Sequence, residues 1–357
     1  MKRAAILAAL VSFTLTVFAA AVPKVLPRPD GKPADMRKPV QVFILMGQSN
    51  MLGAGRIYGN RPGTLEYAVK VKKKYPYLVD GNGNWTVRKD VRYVRVMGSG
   101  TGPMRVYFND WLTVKGLRTI GPEFGIGHYL GEAIDAPVLL LKSCIGNRSL
   151  GWDLLPPGSP RVEVEEKGKV MVYAGYRDSP AKWEKGTKPK KINWYAGMQY
   201  DGDVRNAKKV LAELKKYYPG AKGYKVAGFF FWQGDKDRYN AVHASLYEQN
   251  LVRLIKQLHK DFNAPKAKFV LATLGQTKKG ARGNEGKILN AQLAVDGNSG
   301  KYPEFKGNVA TVYSHPYCHG GASNSHYNGN AETYMDIGEA MGRKMVKLLG
   351  LGPGFSK

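Results

Sequence analysis

The chain is short of acid. Its 357 residues hold 28 Asp and Glu against 55 Lys and Arg, a formal net charge of +27. Such a chain associates non-specifically with polyanions. Its lysines are nevertheless scattered through residues 70–74, 182–191 and 278–279, with no recognition helix and no aromatic module, so no dedicated nucleic-acid partner is expected. Cysteine is scarcer still. Cys144 and Cys318 are too few for a disulfide-framed scaffold, which leaves one bridge or two buried thiols. Long apolar runs are missing after residue 20, so the mature chain is expected to lack a membrane-spanning segment. No internal repeat is evident. What is present, 43% apolar and only 23% charged residues, suffices for a sizeable core.

Lys2 and Arg3 precede a mostly apolar run over residues 4–20, and Ala19, Ala20 and Ala21 lead into Val22 and Pro23. This reads as a signal peptide over residues 1–21 and a secreted or periplasmic protein; a retained membrane anchor is the alternative. A Pro-rich lead-in follows at 22–39, and a single domain is expected over 40–350.

Residues 40–46 form a nearly continuous apolar run ended by Gly47, the pattern of a strand buried on both faces. Residues 138–141, 226–231, 269–273 and 309–312 have the same character. Helical periodicity recurs at 203–217, 244–262 and about 331–349. Buried strands alternating with amphipathic helices predict an α/β fold with a central parallel sheet of about five strands, covered on both faces. Residues 54–120, with Gly-Asn-Gly-Asn at 81–84, predict a hairpin or small accessory sheet rather than another parallel unit. Residues 151–200, rich in Pro, Gly, Trp and Tyr, predict long functional loops.

In open α/β sheets, ligands bind at the carboxyl ends of strands. The polar residues expected there are Gly47 to Asn50, Lys142 to Asn147, Trp232 to Asp235, and the stretch from Ser314 to His326. Cys144 and Cys318 fall in two of these stretches, so their loops should converge. Ser49, just past a buried strand, is placed either as a nucleophile or as a turn and helix-capping residue. His128, His243 and His259 sit in helical patterns and read as surface or packing residues. His315, Cys318 and His319 have metal-donor side chains but no flanking zinc-site signature, so no metal is expected.

Residues 42–51, Val-Phe-Ile-Leu-Met-Gly-Gln-Ser-Asn-Met, resemble the nucleophile block of the carbohydrate-acetylesterase branch of SGNH hydrolases, the group of acetylxylan esterases and sialate O-acetylesterases. Residues 231–237, Phe-Trp-Gln-Gly-Asp-Lys-Asp, are similar to its third block. His326-Tyr327, followed by Tyr334 and Gly338, resembles its terminal histidine block. The resemblance implies a three-layer, flavodoxin-like fold with Ser49 as nucleophile and His326 as general base. It implies oxyanion donors from the backbone of Ser49, from the Gly146-Asn147 loop and from the side-chain amide of Gln233. Neither an organic cofactor nor a metal is required.

The family usually carries an aspartate three residues before the histidine. Here that position is Ser323. Asp235 is therefore the leading candidate for the third catalytic group and Asp237 the second, with a Ser-His dyad as the alternative; Asn50 and Ser323 are read as support. Trp152, Trp194 and Tyr195 are candidate platforms for an acetylated oligosaccharide or polysaccharide, or else anchors of the insertion. The competing functions are an esterase of lipid or small aromatic esters and a noncatalytic carbohydrate-binding protein.

Overall fold

Along strand β1 (Val40–Gly47), successive side chains leave by opposite faces of the sheet. Val42, Ile44 and Met46 enter one core, and Phe43 and Leu45 enter the other. That alternation within an unbroken apolar run lets a strand be covered on both sides. The computed structural model describes residues 25–351, so the leader expected over residues 1–21 lies outside the described residues.

After β1 the chain forms the short helix α1 (Ser49–Leu52), strand β2 (Gly55–Arg56), strands β3 (Arg88–Met97) and β4 (Arg105–Leu112), strand β5 (Thr119–Ile120) and helix α2 (Glu123–Ala133). Strand β6 (Val138–Ser143) follows, then β7 (Val162–Glu166), β8 (Lys169–Tyr173) and β9 (Lys182–Glu184). Helices α3 (Met198–Ala212) and α4 (Leu214–Tyr217) precede β10 (Tyr224–Trp232). The remainder is α5 (Ala241–Asp261), β11 (Lys268–Ala272), α6 (Gly283–Ala294), β12 (Val309–Val312) and α7 (Ala331–Leu348).

The central sheet has seven strands in the order β12-β11-β10-β1-β6-β3-β4. All five segments read as buried strands are present and pair in parallel. The expected count of about five is corrected by β3 and β4. Rather than forming a separate accessory sheet, this hairpin extends the main one, with β3 parallel to β6 and β4 antiparallel at the edge. Three arginines hide β3 in the sequence. Arg88 is buried against the Asp90 carboxylate at 2.7 Å, and Arg92 bonds Asn109 and the Tyr217 carbonyl, so a strand inside the fold reads as polar.

Helices α2 and α7 cover one face, with Phe124, Ile126, Met335 and Met341 in the core beneath them. Helices α3, α5 and α6 cover the other, with Val204, Leu251, Leu254 and Ile288 inward. The result is a three-layer α/β arrangement. Helix α2 has no amphipathic signature because it is buried nearly all round, and glycine permits this. A Cβ on Gly125 would stand 2.3 Å from the Glu339 nitrogen of α7, and one on Gly338 would stand 2.4 Å from the Pro122 carbonyl. The stretch 151–200, read as loops, carries the antiparallel sheet β7-β8-β9. Among the described residues no helix is long and apolar enough to cross a membrane.

Candidate active site

The chain leaves β1 to β6 and β3 on one side and to β10, β11 and β12 on the other, so the order reverses between β1 and β10. Their carboxyl ends meet at Gly47, paired in register with Trp232. Only glycine fits there: a Cβ on Gly47, with φ at +146°, would lie 2.3 Å from the Trp232 carbonyl oxygen. Ser49 stands just beyond this crossing, half-buried at the start of α1.

The loop after β6 comes to the same place. A Cβ on Gly146 would lie 3.5 Å from the Ser49 Cβ, so the Gly146 backbone adjoins the serine, and exposed Asn147 turns the chain with φ at +57°. The histidine loop reaches the site through neighbours. Asn50, next to Ser49, donates from Nδ2 to the Tyr327 hydroxyl at 3.3 Å, and Tyr327 is next to His326. The Tyr327 hydroxyl also accepts from the Gly275 amide at 3.2 Å, while its ring stacks on Trp232 at 5.7 Å. These bonds hold a strained turn. His326, Tyr327 and Asn328 are all left-handed, with φ of 51°, 53° and 53°, at a cost of about 1–2 kcal/mol per residue. His326 itself is exposed.

Asp235 is brought to the histidine loop at the position where an acid is missing. Its Oδ1 accepts from the Ser323 hydroxyl and, at 2.8 Å, from Arg238 Nε. Asp237 is directed elsewhere. Its buried carboxylate accepts from the Leu150 and Gly151 amides at 2.9 and 2.8 Å and from Gln233 Nε2 at 2.6 Å. It braces the loop after β6, so its reading as a second partner for the histidine is corrected.

Gln233 is corrected likewise. Its amide nitrogen faces Gln48 Oε1, the Arg148 carbonyl and Asp237, while its oxygen accepts from the Tyr247 hydroxyl. Both amide protons are committed to locking three strand-end loops together, and none is left for an oxyanion. Gln48, fully buried beside Ser49, is the member of this lock that sequence reasoning missed. Its position between Gly47 and Ser49 was the only available signal.

The aromatic candidates separate. Trp194 stacks under the Arg148 guanidinium, 4.9 Å from its centroid, at the loop next to Gly146. Trp152 packs against Leu155, Ala174 and Ala196 and anchors the insertion. The Tyr195 hydroxyl donates to Asp201 at 2.9 Å. Cys144 and Cys318 are both free thiols, and burial pushes Cys144 up to about 12. His315 bonds the Gly275 carbonyl and His319 pairs with Asp336, so these two rings point to separate partners.

His243 of α5 packs against Gly151, whose Cβ would stand 2.4 Å from the ring. Burial, with Lys182 nearby, depresses it to about 4. Its neutral form is the one that fits the fold, so this stability is complete above about pH 6.5 and lost as pH falls towards 4. Burial acts on Asp237 in the opposite sense, raising it to about 6, which favours the fold at low pH and is lost as pH rises through 6. Only a variant separates the two. His243→Phe should retain about 3 kcal/mol that the wild type loses between pH 6.5 and 4, measured by urea unfolding across that range.

The second half of the chain is similar to a known family. Residues 179–347 match the family of carbohydrate esterases described as sialic acid-specific acetylesterases. The matched region holds Gln233, Asp235, Ser323 and His326, and Ser49 precedes it. It agrees with the branch to which the sequence blocks point. Solved structures similar to the chain include the following three. One is a protein from Arabidopsis thaliana, 17% identical, covering 87% of this chain and 99% of that one with a TM-score of 0.47. Another is a carbohydrate acetylesterase from Xanthomonas citri, 11% identical, covering 87% of this chain and 56% of that one, TM-score 0.49. The third is NanS, 13% identical, covering 77% and 78%, TM-score 0.39. No curated protein matches the chain.

Proposed function

We propose that the protein is an exported serine esterase that releases acetate from O-acetylated carbohydrate through an acyl-enzyme. The observation that carries this reading is the Asn50–Tyr327 hydrogen bond, which joins the immediate neighbours of Ser49 and His326 across the carboxyl edge of the sheet. His326 takes the proton from the Ser49 hydroxyl as its oxygen attacks the acetyl carbonyl. The backbone amides of Ser49 and of the Gly146-Asn147 turn receive the developing oxyanion. The imidazolium then protonates the departing sugar alcohol, and water activated by the same histidine releases acetate from the serine. Trp194, beside Arg148, offers the aromatic face for the sugar.

An acetate-release screen tests this reading. Acetylated xylan, acetylated pectic sugars and O-acetyl sialosides are expected to yield acetate at rates well above those for long-chain lipid esters. Preference for lipid esters, or sugar binding with no turnover on any ester, defeats it.

A further inference from the structure

Beside the histidine loop lies a cavity of about 180 Å³ lined by Arg56, Arg61, Thr64, His319, Asn328 and Asn330. It is roughly ten times the space that one water needs. No carboxylate lines it. Neither Arg56 nor Arg61 has an acid partner among the described residues, whereas Arg88, Arg161, Arg238 and Arg343 each do. His319 is paired with Asp336, which Lys74 and Tyr75 share, and Glu332 in the first turn of α7 is paired with Lys72 and Lys74.

The two guanidinium groups are placed by backbone structure. Arg56 belongs to β2, whose pairing with β5 fixes it. Its side chain lies across Gly329, where a Cβ would meet Nε at 3.0 Å and Cζ at 3.1 Å. Gly329 is three residues after His326. The loop carrying Arg61 docks on α7, where the Gly63 carbonyl accepts from the Ala331 amide at 2.8 Å. With the Asn330 side chain accepting from the Glu332 and Thr333 amides, the first amides of α7 are already bonded and the helix lends the cavity no donor. Two guanidinium groups, with no acid among the lining residues, make a site for an anion that accepts paired N–H donors.

Resting on the esterase reading, we propose that this cavity is a substrate subsite for a carboxylate or sulfate ester on a sugar adjoining the acetylated one. Ser49 and Gly146 do not line the cavity, whereas Asn328, two residues from His326, does. An anionic substituent held there belongs to a neighbouring sugar, while the ester occupies the serine side of the histidine loop. The net charge of +27 brings such a chain in from solution, and the arginine pair fixes its register.

The test is calorimetric binding of acetyl-free oligosaccharides, which needs no turnover and so stands apart from the acetate screen. Three probes of equal length are used: a neutral xylo-oligosaccharide, a glucuronate-bearing one and a sulfated galacto-oligosaccharide. Arg56→Gln/Arg61→Gln should weaken at least one anionic probe about tenfold or more and leave the neutral probe unchanged. Loss with glucuronate alone, sulfate alone or both supports the subsite and identifies its anion. Arg61→Gln by itself, at an exposed position, should show a smaller loss in the same direction and covers the case in which the double variant misfolds. Lys222→Gln/Lys225→Gln removes equal charge at the opposite, amino end of β10. Equal loss in that control, or no loss of either anion in the arginine variants, overturns the proposal.

Discussion

Ser49→Ala is expected to lower acetate release by at least about 10,000-fold while the fold is kept. The hydroxyl is half-buried and makes no hydrogen bond among the described residues, so its removal leaves no orphaned partner. The turn that presents it is set by Gly47, by the buried Gln48 lock and by the Gly53 amide bonding the Ser49 carbonyl at 2.9 Å, and the substitution touches none of these. The melting temperature should move by less than about 2 °C. Because nucleophile and base act as a unit, Ser49→Ala/His326→Ala should be no slower than Ser49→Ala alone. Near-wild-type turnover in the serine variant removes Ser49 from the mechanism, and a large melting shift makes its role structural.

Asp235→Asn carries the second large effect, a fall in acetate turnover of about 100-fold with the fold preserved. An asparagine oxygen still accepts from Ser323 and Arg238, and Arg238 keeps Glu285 at 2.7 Å, so packing is undisturbed. What is lost is a negative charge at the base of the histidine loop. The imidazolium formed during attack is then less stabilised. The fall should appear in kcat/KM as well as in kcat. Ser323→Ala should cost about tenfold, because the hydroxyl orients the loop while Asp235 retains its charge. Wild-type activity in the Asp235 variant beside a severe defect at Ser323 reverses these roles.

Much of the scaffold was legible in the sequence because burial on two faces demands continuous apolar strands, and β1, β6, β10, β11 and β12 supply them. The hairpin of β3 was legible but its place in the main sheet was not, since its arginines are satisfied by partners distant in sequence such as Asn109 and the Tyr217 carbonyl. Helix α2 showed only as a helical pattern around His128 with no amphipathic face, because periodicity arises only when one face meets water. The insertion at 151–200 hid a sheet of short strands whose alternation is broken by charged pairs such as Lys182–Glu166.

At the site, the sequence by itself determined which residue types stand at the strand ends: Ser49 after β1, Gly146 after β6, and His326 in a loop without its usual aspartate. Local order suffices for that, since a buried strand must end where polar residues begin. Only the tertiary structure decided how those residues are used. Gln233 and Asp237, neighbours of Asp235 in one motif, turn inward to lock loops, while Asp235 alone reaches Ser323. Residues within five positions of one another take different roles because Gln233 and Asp237 bend towards the loop after β6 and Asp235 towards the loop after β12, and which ends lie adjacent depends on the strand order of the sheet.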